Sequence, residues 1–255
     1  MTNPGEMGET RVRVAACPSA FARAFACGAD EVFAWVVDLA CPPVNADELF
    51  ARLTADEQTR ALRYKIAKAR EQFTIGRGLL RGLLGACLDV APAAVPLTCL
   101  SSGKPVLCEE TGLHFNVTHT DGIAVIALGR RRVGVDVELV RQIENLEGLV
   151  GRYFSPAEGA AFRALPEGYR RAGFFRGWTT KEAVIKAAGA TVGCLAEFDV
   201  ELHPARPPRV NAVRDPQLAG AGWALAEWTA PGNAVVALAV EGVETLVVER
   251  GEPGA

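Results

Sequence analysis

The order in which short β-rich runs and helical stretches follow one another is what most constrains this chain. Residues 32–39 (VFAWVVDL) are a run of strand-favouring side chains that stops at Cys41-Pro42-Pro43, a strand and then a loop. A long helical stretch is predicted next. Thr54 and Glu57 have the spacing of a capping box, residues 57–69 are rich in helix formers, and Phe73, Leu79, Leu80, Leu83, Leu84 and Leu88 continue at near-helical spacing. Residues 113–120 and 123–128 read as two strands joined by a tight Asp121-Gly122 turn. The second half repeats this order, with a strand at 133–140, a helix start at Ser155-Pro156-Ala157-Glu158, a helix over 174–188 and strands at 198–202, 223–228 and 234–240. Val32 and Val133, like Phe73 and Phe174, are about 100 residues apart. This predicts an α+β protein of two similar lobes, a pseudo-twofold duplication of a strand, helices and antiparallel-strands unit, with the active site in the cleft between them. The expected division is a loosely ordered arm over 1–30, an N-terminal lobe over 31–130, a C-terminal lobe over 131–245 and a tail over 246–255.

Composition narrows the function classes. With 27 Lys+Arg against 30 Asp+Glu, a formal charge of −3 and 49% apolar residues, the chain is neither disordered nor a wholesale nucleic-acid binder. Seven cysteines contain no Cys-x-x-Cys, and His114, His119 and His203 have no zinc-ligand spacing, so reduced thiols in the cytoplasm are expected and structural zinc is not. Apolar runs such as 32–37 and 235–240 fall far short of the ~18–20 residues that span a bilayer, so no membrane is expected. Residues 14–26 loosely imitate a signal peptide but are interrupted by Pro18 and Arg23. The Gly76-Arg77-Gly78-Leu79-Leu80-Arg81-Gly82 run misses the dinucleotide fingerprint by one residue and follows helix rather than strand, and neither a P-loop nor a Gly-x-Ser-x-Gly elbow occurs.

Two segments carry acid chemistry. In Gly134-Val135-Asp136-Val137-Glu138, strand alternation puts Asp136 and Glu138 on one face and Val133, Val135 and Val137 on the other. Like charges side by side repel unless a cation lies between them. A polar outer face and a magnesium site both fit this pattern, since Mg²⁺ takes one or two carboxylates with water and phosphate oxygens. In the segment from Trp178 to Lys186 (WTTKEAVIK), helical pitch aligns Trp178, Glu182, Ile185 and Lys186, with Phe174 a turn earlier. Glu182 and Lys186 fit an ordinary exposed i,i+4 pair. A carboxylate among Phe174, Trp178 and Ile185 otherwise needs a positive partner, which a metal shared with Asp136 and Glu138 supplies.

Gly-Val-Asp-Val-Glu followed about forty residues later by Phe175-x-x-Trp178-Thr-x-Lys181-Glu182-Ala-x-x-Lys186 resembles the paired signature of the 4'-phosphopantetheinyl transferases. Gly103-Lys104-Pro105 and Phe115-Asn116-Val117-Thr118-His119-Thr120 are similar to two further segments of that family, in the family's order. Length and Trp178 resemble the surfactin-type branch, whose members are single chains of two similar lobes. The resemblance covers residues 54–240 and leaves out the first thirty.

The resemblance implies transfer of the phosphopantetheinyl arm of coenzyme A to a serine of an acyl or peptidyl carrier protein. By position in the motifs, Asp136, Glu138 and Glu182 would hold Mg²⁺, Glu182 would also take the serine proton, and Lys186 would reach the pyrophosphate. Arg60, Lys104, Thr118 and His119 would contact coenzyme A, together with Asp136 and Lys186. Three of these have a plainer reading: Arg60 a solvated helix face with Arg63, Lys65 and Lys68, Lys104 a turn, and His119 a core histidine beside Phe115 and Val117. Thr118 stands where the family usually has Ser. Arg77 and Arg81 are unassigned, and Arg130-Arg131-Arg132 is read as an exposed turn. The stretch 141–171, with Phe154, Phe162, Leu165 and Tyr169 as contact surface or core, is the expected carrier-docking segment. A monomer is expected, with no nucleic-acid partner. A Mg²⁺-dependent phosphohydrolase acting on coenzyme A or a nucleotide, and a non-catalytic carrier-binding module, remain as alternatives.

Overall fold

A computed structural model describes residues 9–16, 28–100, 104–108, 110–219 and 222–250. The Ser101-Ser102-Gly103 part of the Lys104 segment, Cys17 and Cys27, Pro18 and Arg23, and residues 1–8 and 251–255 lie outside these. The chain begins with strands β1 (Glu9–Ala16) and β2 (Glu31–Asp38), followed by helices α1 (Ala46–Ala51), α2 (Ala55–Arg63) and α3 (Ala67–Leu88). Next come β3 (Leu97–Cys99), β4 (Pro105–Leu107), β5 (His114–Thr120), β6 (Ile123–Gly129) and β7 (Val133–Leu139). Helices α4 (Leu146–Tyr153), α5 (Pro156–Ala164) and α6 (Glu167–Ala188) precede β8 (Phe198–Val200), β9 (Val210–Val213), β10 (Trp223–Ala230), β11 (Ala234–Glu241) and β12 (Thr245–Arg250).

Two sheets carry the fold, a five-stranded one in the order β12-β1-β2-β6-β5 and a three-stranded one in the order β10-β11-β7. Strand alternation explains how they stack. Val32 and Ala34 of β2, Val125 and Ala127 of β6, Val133, Val135 and Val137 of β7, and Val236 and Leu238 of β11 meet in one core between the sheets. The opposite face of the five-stranded sheet, with Trp35, Val37 and Ile126, packs on Leu49 of α1 and Leu79, Leu80 and Leu83 of α3. The outer face of the three-stranded sheet, with Ala237 and Ala239, packs on Phe174, Val184 and Ala187 of α6. The order is therefore helices, sheet, sheet, helices, an α+β architecture as expected.

Several expectations are corrected. Glu9–Ala16, expected inside a loose arm, pairs parallel with both β2 and β12. Its Val12 is fully buried. Thr245–Arg250, assigned mainly to a tail, is the strand on the outer side of β1, so the end of the chain returns to the sheet begun by its first half. The long helical stretch is broken: α2 stops at Arg63 where Tyr64 turns extended at φ −66°, ψ 118°. The break lets α2 fold back on α3. There Glu57 accepts from Arg81 at 2.5 and 3.1 Å, and Arg81 also donates to the carbonyls of Pro92 (2.9 Å) and Val95 (3.2 Å). Arg81 is thus a buried brace. In the Arg130-Arg131-Arg132 turn, Arg130 is exposed as expected and the other two are half-buried, and the three bond to Thr111 O, Gly242 O and the Glu241 carboxylate respectively.

Candidate functional site

Strand β7 is held from two sides. A Cβ on Gly134 would lie 2.0 Å from Ala183 O and 2.4 Å from Ala187 N, so only glycine lets α6 sit this close to the strand. That approach brings the acid-bearing face of β7 against Glu182 and Lys186 of α6. Lys186 Nζ donates to Asp136 Oδ1 at 2.5 Å. From β5, Thr118 Oγ1 donates to the same oxygen at 3.0 Å and lies 3.4 Å from Lys186 Nζ. Asp136 is 5% exposed, and its second oxygen, Oδ2, is buried with no partner.

The carboxylates disfavour one another's charge. Burial pushes the Glu138 carboxyl up and the Asp136 charge adds to it, against Arg141 and Lys186. Burial likewise raises Glu182; Lys186 opposes this, while Asp136 and Glu138 reinforce it. Glu138 Oε2 accepts from Arg141 at 3.3 Å. Among the described residues no group of three or more His, Cys, Asp or Glu side chains is gathered for a metal. The donor chemistry nonetheless suits a hard cation: Asp136 has an orphaned buried carboxylate oxygen, and its charge and those of Glu138 and Glu182 disfavour one another unless a positive charge lies nearby.

The expected coenzyme A contacts divide around β5, because consecutive strand residues point to opposite faces. Thr118 turns toward Asp136. His119 is exposed rather than a core histidine, and with Phe73, Arg77, Pro105 and Val117 it lines a cavity of about 360 Å³. Arg60 is not among its lining residues, but its guanidinium lies 5.1 Å from the centre of the ring of Phe73, which is one of them. Lys104 is half-buried and donates from Nζ to Lys186 O. Burial depresses its ammonium, and the charges of Lys186 and Arg132 add to that. It also lines a second cavity of about 580 Å³ with His114, Arg132, Ala187 and Gly189.

In the expected docking segment, Phe154, Phe162 and Leu165 are buried core and Tyr169 is exposed, its ring 5.3 Å from that of His203. Lys181, part of the second motif, belongs to the interior. Its Nζ lies 2.8 Å from Glu158 and donates to Leu195 O (2.7 Å) and Phe198 O (2.5 Å).

Sequence comparison decides the family. Residues 132–239 match the 4'-phosphopantetheinyl transferase superfamily, and residues 43–130 match the N-terminal family of 4'-phosphopantetheinyl transferase. The 4'-phosphopantetheinyl transferase HetI of Nostoc sp. is 38% identical over 217 residues, 84% of this chain and 89% of HetI. The chain belongs to the 4'-phosphopantetheinyl transferase superfamily. AcpT of Escherichia coli O157:H7 is 31% identical over 135 residues, covering 52% of this chain and 66% of AcpT. A 4'-phosphopantetheinyl transferase of Bacillus subtilis is 26% identical over 157 residues, covering 61% and 69%. The chain is thus a transferase by family, and the Asp136 cluster lies within the superfamily match. No helix among the described residues is long and apolar enough to cross a membrane.

Sequence reasoning missed two residues at this site. Arg77, left unassigned, lines the His119 cavity and lies 3.5 Å from Glu57. Asn116 carries no role of its own in the Phe-Asn-x-Thr-His segment, yet its Oδ1 accepts from Val135 N at 3.0 Å, next to Asp136. An apolar-strand pattern interrupted by Asn was the available signal.

Proposed function

We propose that this transferase moves the 4'-phosphopantetheinyl arm of coenzyme A onto a serine hydroxyl of an acyl or peptidyl carrier protein, with Mg²⁺, releasing adenosine 3',5'-bisphosphate. The observation that carries this reading is the orphaned Oδ2 of buried Asp136, whose other oxygen is held by Lys186 and whose charge is felt by both Glu138 and Glu182. Asp136, Glu138 and Glu182 would hold the metal, which supplies charge neutralisation at the pyrophosphate. Glu182 takes the serine proton, and its raised carboxyl suits a group that must accept and then release one. The serine oxygen bonds to the phosphorus carrying the pantetheine, and the bond to the nucleotide's bridging oxygen breaks. Lys186, bonded to Asp136, would supply the positive charge that stabilises that oxygen as the bond breaks. Arg77 and His119 line a cavity suited to the phosphorylated nucleotide end, and Arg60 stacks on its Phe73.

The two-lobe division near residue 130, a pseudo-twofold origin, a monomeric state and a cytoplasmic site belong to the same reading. Docking of the carrier on the exposed side of residues 141–171, near Tyr169, does too. The test is intact-mass spectrometry of apo carrier proteins incubated with the protein, coenzyme A and Mg²⁺. One phosphopantetheinyl arm should be added, and none when Mg²⁺ is chelated. Glu182→Gln should lower the rate at least about a hundredfold. Coenzyme A cleavage with no carrier product would overturn the reading in favour of a phosphohydrolase.

A further inference from the structure

Strand β7 is an edge strand. It pairs with β11 along one side only, so the N–H groups that point away from β11 need other acceptors. At Val135 a side chain takes this place: Asn116 Oδ1 of β5 accepts its N–H at 3.0 Å in a buried setting. An Asn amide has the shape and polarity of a peptide group, so Asn116 acts as the missing rung between two sheets that otherwise share no ladder. Two residues along β5, on the same face, Thr118 Oγ1 donates to Asp136 Oδ1 at 3.0 Å. Successive rungs from one strand thus hold the backbone just before Asp136 and the carboxylate itself. Gly134, on the other side of Val135, is fixed against α6 by contacts that leave no room for a Cβ.

We propose that Asn116 is a positioning residue: by bonding Val135 N it holds β7 against β5 so that the Asp136 carboxylate stays beside Thr118 and Lys186, with Oδ2 left for the metal. This rests on the proposed metal-dependent function, and it assigns to the Asn of the Phe-Asn-x-Thr-His segment a role apart from ligand contact. Without the bond, the Val135 N–H would be buried and unpaired, and the strand would shift to relieve it. Asp136 would lose its position while keeping its charge. An outer partner of a metal-bound group typically changes metal affinity about 10–100-fold when removed.

The test compares wild type, Asn116→Ala, the milder Asn116→Ser and, as a control for lost stability alone, Thr54→Ala in the remote α2 cap. Mg²⁺ alone is titrated calorimetrically into each, and the Mg²⁺ requirement and carrier KM are measured in the transfer assay. Both Asn116 variants should bind Mg²⁺ about tenfold more weakly. Their Mg²⁺ requirement should rise by a similar factor, with carrier KM within about twofold of wild type and Thr54→Ala unchanged in both respects. Hydrogen exchange at β7 should quicken in the Asn116 variants. Normal Mg²⁺ affinity in folded Asn116→Ser, or an equal loss in Thr54→Ala, would overturn the positioning role. A wild type that transfers the arm beside unaffected Asn116 variants would sink this inference alone, whereas a wild type that neither binds Mg²⁺ nor transfers would sink the functional reading with it.

Discussion

Lys181 and Glu182 are neighbours on α6 with opposite fates. Lys181 is fully buried, paired with Glu158 and bonded to two carbonyls, while Glu182 is half-buried. Burial pulls the Lys181 ammonium down and pushes the Glu158 carboxyl up, so dehydration outweighs their mutual attraction. Lys181→Met would strand Glu158, and urea unfolding should show a loss of about 3–5 kcal/mol. Pairing Lys181→Met with Glu158→Gln should recover part of it. A single change costing under about 1 kcal/mol would refute the pair's structural role. A second residue sets an acid limit. The Arg214 guanidinium bonded to Asp199 at 2.7 and 2.9 Å holds its carboxyl below the usual value of 3.8. A depressed folded pKa means the contribution is present above the unfolded value and lost as pH falls through the folded one. Unfolding midpoints measured from pH 6 downward should therefore drop below about pH 4, and Asp199→Asn should flatten that drop. The motif showed that Lys181 matters; only packing showed that it serves the interior.

The elements most legible in the sequence are those with a local chemical signature. Thr54 with Glu57 and Ser155 with Glu158 form reciprocal capping boxes as their spacing predicts, and Gly122 turns the β5–β6 hairpin at φ +80°. Each capping acid also makes a second contact far from its own helix start. Glu57 grips Arg81, while Glu158 accepts Val200 N and pairs with Lys181. Nothing in a four-residue spacing announces that. It follows that Glu57→Ala should cost more than the ~1 kcal/mol of Thr54→Ala, because it also leaves buried Arg81 without its counter-ion. Chemical denaturation of the two variants checks this, and equal losses would show the ion pair to be idle. The helices α1 and α4 were missed because each is a short element of six and eight residues, too short for a periodic apolar pattern to rise above its surroundings.

At the scale of the whole molecule, the surprising element is β12. It covers β1 as a parallel neighbour far from it in sequence, pairing Glu9 with Thr245 through Val14 with Arg250, and Leu246 and Val248 pack on the core between the sheets. Removing residues 244–255 should expose the edge of β1, lower the thermal midpoint and promote concentration-dependent association seen by light scattering. A truncated chain as stable and monodisperse as the parent would show β12 to be dispensable. Parallel pairing of distant strands has no turn signal, so neither the outer strand nor the ordered stretch 9–16 could be read from local composition. By itself the sequence determined the α+β alternation, the capped helix starts, the hairpin and the pairing of Asp136 with Glu138 on one strand face, all consequences of spacing within one element. Tertiary structure decided which face of β5 meets β7, so that Thr118 turns to Asp136 while His119 opens on a separate cavity. It also made Asn116 the rung between the sheets. Such contacts depend on how independent elements approach in space, and residue spacing along the chain carries no record of that.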